Sequence, residues 1–291
     1  MMSGVTLRSE SQAAASWRQE VRGLADIGFA RSDGITRLAH LAHHDPLRVL
    51  FSRPAAGDVA QATLVNMSGG LIAGDTLDIH FAVGEDAAAM CVASAAEKVC
   101  RSDGAECRII VDLHAAQNAW AEWLPQETIF FDGARLRRTT RLHLCGGARI
   151  LAGEFLVLGR LASGETVSSG YLRDAWEVRL DGRLIWVDAL RMDGNFCAFA
   201  NAGAGLNGAR ALATLIFAGA GVTEYLDTAR ALQQAAGETV LASASCVNGV
   251  LVMRWLARHP QELRAELGKF WAAFRHRAAG YPEALPRIWH V

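Results

Sequence analysis

A two-residue hydrophobic alternation that returns about every 30 residues constrains this chain more than any other feature. Thr76-Leu77-Asp78-Ile79-His80-Phe81-Ala82-Val83 puts Leu77, Ile79, Phe81 and Val83 on one face and polar or small residues on the other. Ile109, Val111 and Leu113 repeat the pattern, and Leu142 and Leu144 repeat it again. Each run ends in a polar or small-residue turn (Gly84-Glu85-Asp86, Ala116-Gln117-Asn118, Cys145-Gly146-Gly147) and restarts through alanine. This is the signature of half-buried strands. A strand–turn–strand unit of that period predicts stacked β-layers, as in a β-helix. A β-sandwich gives similar turn spacing, so that alternative stays open.

Helical patterning comes late. Thr223 to Leu232 opens on an N-cap candidate and has its stop at Gly237. In Glu262 to Ala279, the residues Leu263, Leu267, Phe270, Trp271 and Phe274 make one apolar stripe, closed by Gly280 and Pro282. Val247 to Leu256 reads as a strand between them. No low-complexity linker divides the chain. The expectation is a mainly β, β-helix-like single domain over residues 21–291 with a few C-terminal α-helices, preceded by a mobile segment over residues 1–20.

Lys+Arg 29 against Asp+Glu 30 leaves a formal net charge of −1, so no basic surplus recruits nucleic acid. Arg135, Arg137 and Arg141 share one strand face, which reads as a solvated face. The six cysteines form no Cys-x-x-Cys pair, which points to a reducing compartment. The N-terminus carries no signal-peptide core, and no apolar stretch reaches the roughly 20 residues of a membrane span. A cytoplasmic protein with no membrane partner is expected.

Few motifs carry chemistry. The Gly-rich turn Ser68-Gly69-Gly70-Leu71-Ile72-Ala73-Gly74-Asp75 ends in an aspartate where a phosphate loop needs lysine, which argues against nucleotide binding. Its alternative role is to aim Asp75 inward. His40 and His44 precede Asp45-Pro46 and read as part of a solvated turn. His143 and Cys145 share a strand face without completing a metal site. Glu127 and Asp132 are the candidate carboxylate pair if the fold hosts a carbohydrate-active enzyme. A pure protein-binding module using the Trp271/Phe274 stripe or the Arg287-Ile288-Trp289 tail is the other alternative.

Glu122-Trp123-Leu124-Pro125-Gln126-Glu127-Thr128-Ile129-Phe130-Phe131-Asp132-Gly133-Ala134 is the most distinctive run in the chain. Taken with the Gly69 to Asp75 turn, Leu158-Gly159-Arg160, Asp181-Gly182-Arg183-Leu184 and Pro286-Arg287-Ile288-Trp289, it resembles the urease accessory protein family UreD over most of the length. One segment departs from the family pattern. Where members usually carry Thr/Ser-Lys-x-Tyr-Arg, this chain has Glu97-Lys98-Val99-Cys100-Arg101.

The resemblance implies a β-helical fold and a non-enzymatic role. It implies a complex with apo-urease, UreF and the GTPase UreG that installs two nickel ions bridged by a carbamylated lysine. It also implies no permanently bound cofactor and nickel in transit along a hydrated passage. The acids it places along that passage are Asp75, Glu154 and Asp188, with Glu97 at the hydroxyl position, and it marks Trp123, Gln126, Glu127, Arg287 and Trp289 for partner contacts. Glu154 and Asp188 sit in apolar strand runs, where an acid needs a partner, water or a cation. Ion pairs with arginines such as Arg160 or Arg191 would serve equally well.

Overall fold

The computed structural model describes residues 20–102, 104–234 and 239–290. In chain order the strands are β1 (Arg22–Ser32), β2 (Ile35–His44), β3 (Leu47–Phe51), β4 (Ala60–Asn66), β5 (Thr76–Val83), β6 (Ala88–Ala93), β7 (Glu97–Val99), β8 (Cys107–Ala115) and β9 (Trp120–Leu124). There follow β10 (Thr128–Phe130), β11 (Arg135–Leu144), β12 (Arg149–Leu158), β13 (Tyr171–Leu180), β14 (Arg183–Asp193), β15 (Ala211–Gly219), β16 (Val240–Val247) and β17 (Val250–Ala257). The helices are α1 (Phe196–Asn201), α2 (Leu226–Gln234) and α3 (Pro260–Ala279).

The chain winds between two facing sheets. One has the order β14-β13-β11-β8-β5-β1-β2, and the other runs β16-β17-β15-β12-β9-β6-β4-β3. Each coil lays one strand on the first sheet and the next on the second, so β1, β5, β8, β11 and β13 are mutually parallel. In the second sheet β4, β6, β9 and β12 are parallel in the same way. The short strands β7 and β10 pair with each other and form a narrow third side. About four coils stack in this β-solenoid. The expected period is therefore one coil.

The turns stack as well as the strands. Asp86 and Asn118 adopt positive φ at equivalent corners, and Asn118 Nδ2 donates to Asp86 Oδ1 at 3.1 Å. The next corner is Gly147, where an added Cβ would fall 2.3 Å from Asn118 Oδ1. Glycine is required there both by its φ of 77° and by the close approach.

Leu77, Ile79, Phe81, Val111, Leu113, Leu136 and Leu142 meet Ala89, Cys91, Ala121, Ile150 and Leu156 between the sheets and form the main core. A second core lies outside the second sheet. There Leu263, Leu267, Phe270, Trp271 and Phe274 of α3 pack on Leu151, Leu215, Phe217 and Trp255. Gly153 admits the Trp271 ring, since a Cβ there would stand 2.9 Å from it. A sheet covered on both faces loses the two-residue alternation, as the almost wholly buried β12 shows.

Three local expectations need correction. His40 and His44 lie in β2 rather than in a turn, because β1 supplies an antiparallel partner along its whole length. The helix expected from Thr223 begins instead as a 3-10 turn at Val222–Tyr225 and becomes α-helical at Leu226, and its stop at Gly237 lies outside the described residues. The strand placed from Val247 is a hairpin of β16 and β17 with Asn248 and Gly249 at positive φ. The helix α1 was not anticipated, and residues 1–19 lie outside the described residues.

Candidate functional site

Alternation that buries Leu136, Thr140 and Leu142 also points Arg138 into the space between the sheets. Its register neighbour on β13 is Asp174, and its guanidinium bonds that carboxylate at 2.9 and 2.7 Å. Glu154 of β12 meets it from the opposite sheet at 2.5 Å, and Thr128 Oγ1 accepts at 2.9 Å. The other Glu154 oxygen accepts from Trp123 Nε1 at 3.0 Å and from Thr140 Oγ1 at 3.4 Å. One guanidinium thus faces two carboxylates deep in the core. Burial pushes the Glu154 carboxyl up to about 7, against the pull of Arg138 and with the help of Asp174. Burial also opposes the Arg138 charge, but Asp174 and Glu154 outweigh it and hold its pKa above the usual range.

Glu154 opens on a cavity of about 60 Å³ between the sheets, which it shares with Asn66, Glu97, Gln126, Thr128 and Arg138. That volume holds a few waters and the lining offers them partners. Glu97, on β7, accepts from Asn66 Nδ2 at 2.8 Å. Burial pushes its carboxyl up to about 7, while Asn66 and the Lys98 amide and charge pull the other way. Two carboxyls that titrate near neutrality therefore line one small polar space.

A second cavity of about 390 Å³ lies beyond Arg138, lined by Asp174, Trp176, Asp188, Thr214, Leu241 and Arg254. The Arg138–Asp174 pair stands between the two, Arg138 lining one and Asp174 the other. Asp188 is paired with Arg254. Asp75 lines neither cavity. Its carboxylate accepts from the Val21 amide at 3.0 Å and the Ile72 amide at 2.9 Å, which folds the glycine turn against β1. Glu97, Glu154 and Asp188 are thus collected along the space between the sheets, and Asp75 sits at a coil corner. The arginine partners differ from those expected: Arg138 and Arg254 take Glu154 and Asp188, while Arg160 binds Glu165 and Arg191 binds Asp193.

The Glu97 titration has a consequence for stability. A raised folded-state pKa means that the folded chain binds more protons than the unfolded one, so stability falls as pH rises from about 4.5 to about 7. Glu97→Gln abolishes that loss. Its stability gain over wild type should be larger near pH 8 than near pH 5 by about 2–3 kcal/mol, read from urea midpoints at the two pH values. An equal gain at both would contradict the raised pKa.

Four of the five residues marked for partner contacts are engaged within the chain. Trp123, Gln126 and Trp289 are buried. Gln126 Nε2 donates to the Ala93 and Ile288 carbonyls at 3.3 and 3.4 Å. Arg264 of α3 binds Glu127 at 2.5 Å, donates to the Trp289 carbonyl at 2.7 Å and lies 4.7 Å from the Trp289 ring centroid. Together they fasten the C-terminal tail over the end of the first cavity, and Arg287 is exposed beside them.

Asp132 gathers the Ser168 and Ser169 amides, the Ser168 hydroxyl and Arg101. Burial opposes its charge, but these partners outweigh it and hold the carboxyl below its usual range, the wrong direction for a general acid paired with Glu127. His143 stacks on His114 at 4.4 Å, and Cys145 lies just past the strand end. Among the described residues no group of three or more His, Cys, Asp or Glu is arranged to hold a metal.

Reading the sequence missed Arg138 and Asp174. The signal for Arg138 was its inward parity among Leu136, Thr140 and Leu142. Asp174 had none, because only coil stacking brings it alongside.

The family profile described as UreD urease accessory protein matches residues 21–290. The chain belongs to the UreD urease accessory protein family. It is 39% identical over 294 residues, covering 100% of both chains, to "Urease accessory protein UreD" of Magnetococcus marinus. It is 38% identical to "Urease accessory protein UreD 2" of Methylorubrum populi over 98% of this chain and 96% of that one. It is 41% identical to "Urease accessory protein UreD" of Xanthobacter autotrophicus over 94% and 91%. These UreD proteins are named as accessory proteins. Among the described residues no helix is long and apolar enough to cross a membrane.

Proposed function

We propose that this UreD-family chain is a non-enzymatic scaffold of urease maturation, joining the urease apoprotein to UreF and to the GTPase UreG in the cytoplasm, and that nickel crosses it between the two sheets. The observation that carries the reading is the shared cavity of Glu97 and Glu154. Carboxyls titrating near 7 hold a proton that a divalent cation displaces at neutral pH. Nickel binds carboxylate and water more weakly than imidazole or thiolate, so such a site admits the ion without keeping it.

Arg138 sets the order of events. Its charge repels a cation moving from the first cavity to the second, and its two carboxylate partners offset that repulsion. An ion arriving at Glu154 competes with Arg138 for that carboxylate and leaves the guanidinium to Asp174. Asp188 and Arg254 offer a similar exchange at the wider cavity. Asp75 acts on this passage from outside, by fixing the coil corner that precedes β5.

The scaffold part is tested by purifying the tagged full chain from cells that express the urease subunits with UreF and UreG. Recovery of all of them with the tagged chain is expected. Recovery of none would end the scaffold reading. Truncation after residue 280 removes the tail that Arg264 and Gln126 fasten, and loss of partners with the fold retained would place a docking surface there.

A further inference from the structure

The outward face of the first sheet carries an arginine row. Strand register places Arg108 of β8 beside Arg137 of β11, Arg137 beside Arg173 of β13, and Arg173 beside Arg191 of β14. With strands about 4.8 Å apart, the row spans roughly 14 Å. Like charges directly opposite on adjacent strands destabilise a sheet. Glu106 neutralises Arg137 at 2.7 Å and Asp193 neutralises Arg191 at 2.9 Å. Among the described residues the guanidinium groups of Arg108 and Arg173 have no hydrogen-bond or ion-pair partner, their backbones alone being paired in the sheet. Beside the row, two residues before Arg173 on β13, the buried Tyr171 ring lies 5.1, 5.5 and 5.8 Å from the guanidinium carbons of Arg135, Arg137 and Arg191, which favours those side chains lying against the sheet. The whole chain is close to neutral, so this concentration is local.

The setting adds a second argument. Parallel sheets are ordinarily covered on both faces. Here the core and α3 cover the second sheet, while the outward side of the first is open at Arg108 and Arg191. We propose that the row of Arg108, Arg137, Arg173 and Arg191 is a docking surface for an acidic helix of another protein. Carboxylates three and four residues apart on one helix face are about 5–6 Å apart, so four of them match the pitch of the row. Carboxylates on one face of an extended strand stand about 6.8 Å apart and fall out of step after two arginines. A nucleic acid would need a broader basic surface than this face provides, because Asp112 and Glu177 follow higher on the same strands.

The test uses the full chain and a fluorescent alanine-rich helical peptide with four glutamates on one face, followed by anisotropy at low salt. Binding is expected, and Arg108→Gln with Arg173→Gln should weaken it about tenfold. These two arginines have no partner to lose, so the fold is retained, which circular dichroism checks. Arg258→Gln with Arg277→Gln, on the other side of the molecule, should leave the affinity unchanged. The same peptide with its glutamates scattered round the helix should bind as weakly as the row variant does to the original. Equal binding of both peptides, equal binding by the row variant, no binding by wild type, or tighter binding of a single-stranded oligonucleotide of equal charge would each overturn the proposal.

Discussion

Glu122→Ala should destabilise the chain by about 3–5 kcal/mol, the largest single effect expected outside the cavities. Glu122 is fully buried under α3 and accepts from Trp120 Nε1 at 2.8 Å, Trp271 Nε1 at 2.7 Å and Arg275 Nε at 3.0 Å. Arg275 is also fully buried, and it binds Asp58 at 2.5 Å and donates to the Pro282 carbonyl at 3.0 Å. One carboxylate therefore ties the second sheet, α3 and the tail-bearing segment together. Removing it leaves two buried indole N–H groups without an acceptor and a guanidinium with half its countercharge. Arg275→Ala should cost a similar amount, because it leaves the Glu122 carboxylate buried beside neutral donors only. The double variant should fall well short of the sum, since the second change removes the group that the first left unpaired. Urea unfolding followed by tryptophan fluorescence checks all three. Losses below about 1 kcal/mol in both single variants would show that the network is dispensable.

The same residues show what could be read from the sequence. Leu77, Ile79, Phe81 and Val83 announce a strand with one buried face, and their return at Ile109 and Leu142 announces a stack. The α3 stripe is legible because helix contacts are local. Glu122 was visible as an acid in an aromatic run, but its purpose was not. Trp120 is at hand, but the other partners of Glu122 lie on α3, 149 and 153 residues further on, and nothing in the run points to them. Trp123, Gln126 and Glu127 drew attention for the same reason, and they fasten the interior and the tail. The first cavity depends on strand stacking that sets Thr128 beside Glu97 and brings Glu154, two residues before the β12 partner Leu156, to the same space, a matter of register that composition does not record. The arginine row is hidden in the same way, because its members are adjacent across strands and far apart along the chain. His40 and His44 read as a turn because Pro46 follows closely, whereas the β1 partner that makes them strand lies back across the hairpin and carries no local mark.

Neutralising the first cavity should stop nickel delivery while leaving the protein assembled. Glu97→Gln and Glu154→Gln keep the volume and the Asn66 and Trp123 hydrogen bonds, and Arg138 keeps Asp174. Both carboxyls already bind a proton near neutral pH, so the amides resemble their protonated forms. The Glu154→Gln amide NH2 then faces the Arg138 guanidinium, donor to donor, which costs some stability, but Arg138 keeps Asp174 and the fold should be retained, as circular dichroism checks. The cation loses both charged ligands in the space before Arg138, and a neutral cavity of about 60 Å³ beside a fixed guanidinium opposes its entry. A drop of about tenfold or more in urease activation follows if the barrier rises by only about 1.4 kcal/mol. Activation by wild type should also fall as pH drops below about 7, where protons hold the same two sites. Asp188→Asn should have a smaller effect, because Asp188 lines the wider cavity and Arg254 already occupies it.

The most direct measurement is the nickel content of urease recovered from the intact accessory complex, wild type against the Glu97→Gln, Glu154→Gln variant, with the protein composition of both complexes determined alongside. The account expects equal recovery of every protein and urease nickel reduced about tenfold in the variant. Full nickel loading in a fully assembled variant complex would contradict passage between the sheets.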